Sequence, residues 1–180
     1  TVSMTAAKSV VAAFAVQTFT LTVAASNGTV TGLGLGCPGD CSETYAYGSI
    51  VSLTATANTG YAFSSWTNCD SASGSTCTMT MTASKSTVTA NFATATYVLT
   101  AVTQPNGAVK TVNNSDVAIT GINCGSGASD CTETFNHNTT VKVRAFPDAN
   151  YSFASWGGAC ATPTMQGQTC SLTVTAAAST

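Results

Sequence analysis

The chain has 180 residues, of which 7% are charged, and its net charge is −2. An ordinary globular protein carries about a quarter charged residues, whereas disordered chains are charge-rich and poor in aromatic and β-branched residues; this composition, rich in Thr and Val, excludes a disordered tail and disfavours long helices. Only five Lys and Arg are present and they form no stripe, so phosphate neutralisation, and with it nucleic acid as a partner, is excluded.

In chain order, the first apolar run is Val10-Val11-Ala12-Ala13-Phe14-Ala15-Val16, a strand-forming segment without a charge. Alternating apolar and Thr/Ser residues follow at Phe19–Val23, Ile50–Ala55, Thr78–Thr82 and Thr87–Phe92. A period of two predicts strands with one buried face. Asn27-Gly28 between two such runs predicts a hairpin turn, with Pro105-Asn106-Gly107 as its counterpart, and Asn58-Thr59-Gly60 and Pro147–Asn150 mark turns before an aromatic segment. Six or seven short strands per copy are expected, with no substantial helix, in a sandwich or small barrel-like arrangement. No apolar run reaches membrane-spanning length and no signal peptide is present, so Thr1 is expected to begin a processed or excised segment.

The word "copy" is justified by self-comparison. Gly60-Tyr61-Ala62-Phe63-Ser64-Ser65-Trp66 matches Asn150-Tyr151-Ser152-Phe153-Ala154-Ser155-Trp156, and Asp40-Cys41-Ser42-Glu43-Thr44-Tyr45 matches Asp130-Cys131-Thr132-Glu133-Thr134-Phe135, both at an offset of 90 (Trp66 to Trp156, Cys41 to Cys131). Thr20–Val23 matches Val98–Ala101 at a smaller offset, because the second copy carries an insertion around Asn113–Gly121. A third, partial copy opens the chain: Thr1–Phe14 resembles Thr78–Phe92 with one residue of slack. Residues 1–17 therefore correspond to the last strands of a repeat, 18–95 to one full copy, and 96–180 to a second copy that stops before its final strand.

The eight cysteines fall in near neighbours: Cys37 with Cys41, Cys69 with Cys77, Cys124 with Cys131, and Cys160 with Cys170. Zinc sites use fixed short spacings, whereas these spacings drift, and His137 is the only histidine. Two local disulfides per copy, an oxidising compartment and no cofactor are expected. Tyr61, Phe63 and Trp66 recur as Tyr151, Phe153 and Trp156; in a domain with few large residues they are expected to fill the core, while Tyr45 and Tyr47 are better placed for exposure.

These landmarks, in this order, resemble the divergent internalin B B-repeat family of bacterial surface and secreted proteins. The resemblance is carried by the opening Thr-Leu-Thr-Val run at Thr20–Val23, by Gly28-Thr29-Val30, and by Ile122-Asn123-Cys124-Gly125 leading to Asp130-Cys131. It continues in Gly60-Tyr61-x-Phe63-x-x-Trp66, the following Cys pair, and Met79-Thr80-Met81 before Lys85–Val88. The first copy departs from it at Leu33–Gly36 and the second in its insertion. The resemblance implies a β-grasp-like repeat as the alternative to a sandwich, bacterial origin, an extracytoplasmic location, a spacer or adhesive role, and no catalytic residues to carry over.

Nothing in the residues points to an enzyme. Asp40 and Glu43 recur as Asp130 and Glu133, but calcium sites gather more oxygens and glycosidases need carboxylates facing across a cleft. Neither Gly-x-Ser-x-Gly nor a glycine-rich phosphate loop occurs. The function expected is a structural module of an extracellular or cell-surface filament, in which Val10–Val16 completes a neighbouring copy head to tail or pairs with its own preceding repeat. The alternatives are an adhesin or carbohydrate-binding module and a passive spacer, with surface glycans as further partners and Thr/Ser faces able to carry O-linked sugars.

Overall fold

The same alternation that predicts strands also decides which face of each is buried. In β1 (Thr18–Ala25) Leu21 and Val23 are buried between half-exposed threonine and alanine; in β5 (Ile50–Ala57) Val51, Leu53 and Ala55 are buried between exposed Ser52, Thr54 and Thr56. The computed structural model describes residues 5–7, 9–161, 167–176 and 178–179; Thr1–Met4 and Lys8 of the partial N-terminal copy, and Thr180, lie outside them. The chain is all-β, with no α-helix among the described residues and a single 3-10 turn at Gly158–Cys160.

The first copy forms two sheets. β1 lies in one with β4 (Ser42–Ala46), β9 (Val88–Thr94) and β6 (Tyr61–Thr67), in the order β4-β1-β9-β6. The other contains β2 (Gly28–Gly32), β3 (Leu35–Cys37), β5, β7 (Ser71–Ser73) and β8 (Thr76–Thr80), in the order β3-β2-β5-β8-β7. β4 runs antiparallel to β1, with Leu21 opposite Glu43, while β9 runs parallel to it, with Val23 opposite Val88 and Ala25 opposite Ala90. β9 is thus the strand inserted between β1 and β6, and its Val88 and Ala90 are buried.

The second copy repeats the plan. β10 (Thr96–Thr100) pairs with β14 (Thr132–Asn136), Leu99 opposite Glu133, and in parallel with the short β17 (Ala178–Ser179). β11 (Gly107–Val112), β12 (Ala118–Gly125), β13 (Ala128–Asp130), β15 (Thr139–Pro147) and β16 (Thr169–Val174) form a sheet ordered β13-β12-β11-β15-β16. Leu99 and Ala101 pack with Val109, Ile122, Val141, Val143, Cys170 and Val174 in one core between the two sheets, against which Trp156 lies half-buried. The insertion is absorbed where β11 meets β12: the register shifts between Lys110 and Val112, and the Asn113 carboxamide oxygen accepts from the amides of Ser115 and Val117. Two compact units result, one of Thr1–Thr56 with Phe63–Asn91, the other of Ala57–Ala62 with Phe92–Thr180.

Two expectations need correction. Asn27-Gly28 and Asn106-Gly107 are not hairpin turns: β1 and β2, like β10 and β11, belong to different sheets. The positive φ of Asn27 (66°) and Asn106 (76°) turns a corner from one layer to the other. The strands are also shorter and more numerous than six or seven per copy, because three of the four disulfides are flanked by a three-residue strand, β3, β7 or β13.

Disulfides join Cys37 to Cys41, Cys69 to Cys77, Cys124 to Cys131 and Cys160 to Cys170. Cys77, Cys160 and Cys170 are core residues, so a staple ties each aromatic segment to the sheet beneath it. Loop-closure entropy for so short a ring is worth about 2–3 kcal/mol. The double substitution C69A/C77A is therefore expected to lower the unfolding free energy by about that amount in urea denaturation, with no change in β content by circular dichroism.

Candidate functional site

The aromatic segments are where sequence and structure disagree most. Tyr61 (37% exposed) and Tyr151 (57% exposed) are outside the core, and Phe63, Trp66, Phe153 and Trp156 are only half-buried. The core is instead built from Leu, Val, Met and Cys of the alternating strands, which leaves the rings as a cover over its margin. Their mutual geometry is nonetheless the same in both copies. Phe63 and Trp66 lie with ring centroids 5.7 Å apart, Phe153 and Trp156 5.3 Å apart, both pairs tilted by 52°. Both indole Nε1 atoms are buried without a hydrogen-bond partner in the structure.

Tyr45, expected at the surface, is buried, and its hydroxyl donates to the Leu33 carbonyl, with burial raising its pKa. Tyr47 is exposed and lies against Phe19, centroids 6.3 Å apart. The repeated acids have local roles: Asp40 Oδ1 accepts from the Ser42 amide, and Glu43 and Glu133 accept from the amides of Thr44 and Thr134. His137 is half-buried, edge-on to Tyr97 at 6.0 Å. Among the described residues no three His, Cys, Asp or Glu side chains gather as metal ligands would.

The predicted strand Val10–Val16 takes part in no ladder. It is extended and exposed, Val10 and Val11 at 88% and Phe14 at 95%. A strand is defined by its neighbour, and among the described residues this segment has none. The second copy shows the complementary situation. Residues 151–157 have the sequence pattern of β6 but form no strand, and the short β17, parallel to β10 opposite Leu99 and Thr100, stands just ahead of the place that β9 takes beside β1. Between them and Val102–Gln104 runs an open groove of about 610 Å³, with Phe146, Phe153 and Trp156 in its wall. This groove, absent as a motif from the sequence, could have been found by asking which residues stand where β9 stands in the first copy.

Where β9 enters its sheet in the first copy, Lys85 Nζ holds Asp70 at 2.8 and 2.7 Å and the Lys85 amide donates to the Thr20 carbonyl. In the second copy Lys142 holds Asp116 at 2.8 Å.

With this geometry in view the comparisons with known proteins are informative. A model of the divergent InlB B-repeat domain matches residues 19–96 and 115–180, and the chain belongs to that family. It is a surface-associated family of tandem repeats, and the chain carries two copies of its domain. No curated protein and no solved structure matches the chain. No helix among the described residues is long and apolar enough to cross a membrane.

The hydrogen bond from Lys85 depresses the pKa of Asp70, against an opposing effect of desolvation. A carboxylate whose folded pKa lies below its unfolded value stabilises the fold above the unfolded pKa, and that contribution disappears as pH falls through the folded pKa. The pair is partly solvent-exposed, which limits its worth to at most about 1 kcal/mol. D70N is expected to be slightly less stable than the parent at neutral pH and equally stable at strongly acid pH, as read by denaturation at the two conditions.

Proposed function

We propose that this chain is a structural module of an extracellular bacterial surface array, without enzymatic activity, whose copies dock end to end by strand complementation. One observation carries this: an exposed, uncharged, extended segment, Val10–Val16, has the sequence pattern of β9, which in the first copy is a buried strand between two others. Exposed apolar strand-formers of this kind are an aggregation hazard unless a partner covers them. Two disulfides in each copy favour an oxidising, extracytoplasmic location, and membership of a surface-associated repeat family favours a role outside the cytoplasm. A low net charge favours close association of copies, since it opposes their contact only weakly.

Electron microscopy of native material, with intact mass under non-reducing conditions, tests this role. Regular filaments are the expected result. A much longer polypeptide with such repeats strung along it, and no filament, would make the module a spacer.

A second function is favoured by one specific observation: Tyr61 and Tyr151 are exposed at the same position of both copies, as a sugar-stacking platform requires. If the module binds carbohydrate, Y61A/Y151A will lose retention on cell-wall or host polysaccharide while keeping the parent's melting temperature. Equal retention of parent and variant would remove this alternative.

A further inference from the structure

Only five Lys and Arg occur in the chain, scattered in sequence, yet the five-stranded sheet of the second copy gathers three of them on its outward face. Along β15 Val141 and Val143 belong to the core, so the alternate residues Lys142, Arg144 and Phe146 point away from it. Across the ladder Lys110 of β11 stands directly opposite Arg144. All four residues are half-buried.

The first copy shows the same face without them. At the offset of 90, Lys142, Arg144 and Phe146 stand where it has Ser52, Thr54 and Thr56. Lys110, four residues past Asn106, stands where it has Thr31, four past Asn27. Those positions in the first copy are exposed and neutral, as a solvated strand face requires. The fold therefore does not call for charge here. Nor is the charge stabilising by itself, because like charges directly opposite on neighbouring strands repel.

Ion pairing offsets only part of it. Asp116, carried by the insertion, neutralises Lys142 at 2.8 Å. Lys110 has no ion pair among the described residues, and Asp130, in its row, stands two strands away beyond Asn123. Arg144 donates only to neutral oxygens, the Asp116 carbonyl and the Gln168 carboxamide, each at 3.4 Å. Its Nε is buried without a hydrogen-bond partner among the described residues. The ring of Phe146 holds the two cations beside each other, Lys110 Nζ at 5.6 Å and the guanidinium carbon at 5.4 Å from its centroid.

We infer that Lys110 and Arg144 form a binding site for an acidic sugar polymer, receiving a carboxylate or sulfate group of the polymer between the ammonium and the guanidinium. A planar fork with a donor to spare matches such an oxyanion by two parallel hydrogen bonds, and the ammonium adds a point charge. The bound anion removes the repulsion between the cations. Contacts of 3.4 Å hold the guanidinium weakly, so Nε–H can turn toward the ligand. The flanks of the face, Asn123 opposite Lys110, Thr169 opposite Arg144 and Ser171 opposite Lys142, both donate and accept, as contact with sugar hydroxyls requires. Two unneutralised cations are too few to track a phosphodiester backbone, whose binding rests on many such contacts. They suffice for one oxyanion, and its repetition along a polymer raises the effective concentration at the site. The site uses neither Tyr61 and Tyr151 nor Val10–Val16, so it stands independently of both functions proposed above.

The test titrates the chain of residues 1–180 calorimetrically with polygalacturonate, dextran sulfate and neutral dextran. The parent should bind an acidic polymer and not dextran, with an affinity that falls as salt rises. Whichever acidic polymer binds identifies the oxyanion as carboxylate or sulfate. K110T/R144T, which installs the first copy's residues, should melt no lower than the parent and bind about tenfold or more weakly, the worth of one charge-assisted hydrogen bond. R144K keeps the charge and loses the fork, and it should bind more weakly than the parent at an unchanged melting temperature. Equal binding by the parent and both variants, or no binding to either acidic polymer, would overturn the site. Polyglutamate or polyphosphate bound as tightly as the acidic sugars would reveal a contact made by charge alone and overturn the assignment to a sugar polymer.

Discussion

A backbone amide or carbonyl taken out of water must find a partner, and in a sheet that partner belongs to another strand. Here the requirement is concentrated on one strand, β9. It enters parallel to β1 and separates it from β6, so that two elements remote from each other in sequence depend on it for hydrogen bonds. The dependence is visible without any mutation, because the chain performs the comparison itself. Tyr61–Thr67 beside β9 is a strand; residues 151–157, of nearly the same sequence and with the same aromatic tilt, are not. Local propensity is equal in the two places, and the neighbour makes the difference.

The remainder of each copy is less dependent on its surroundings. The five-stranded sheets are complete, and their cores are assembled from small, mostly β-branched or flexible residues such as Val51, Leu53, Met79 and Val143. Domains of this size bury too little apolar surface to be comfortable. Cross-links between near neighbours constrain the unfolded chain without demanding a larger core, and they also anchor the aromatic segments, which packing alone leaves half-exposed. The five-stranded sheet of each copy therefore closes without the strand that runs parallel beside β1 or β10.

Much of this was legible from the residues. Alternation located the strands and their buried faces, the repeat located the copies, and cysteine spacing matched the pairs that form, because each of these is a local property with a fixed period or distance. The misreadings share a cause: burial and pairing depend on what lies across the fold. Tyr45 and Tyr61 look alike in sequence, yet one reaches the Leu33 carbonyl from an inward-facing position and the other stands at an edge. Asn27-Gly28 has hairpin chemistry, but a left-handed Asn turns the chain equally well toward a partner strand or toward a second sheet. The groove carries no motif, since it is lined by segments remote in sequence, among them Val102–Gln104 and Phe153–Trp156.

Sequence also explains why Val10–Val16 suits an inserted position better than an edge. Natural edge strands protect themselves with Lys, Pro, bulges or an inward charge. This segment has none of them, and it follows apolar Val10-Val11-Ala12-Ala13 where an edge would alternate with polar residues. Small residues at Ala12, Ala13 and Ala15 let neighbouring backbones approach from both sides, while Phe14 and the valines supply apolar surface to cover. A sequence of that kind is unfavourable when left in water and favourable between two strands with unpaired edges.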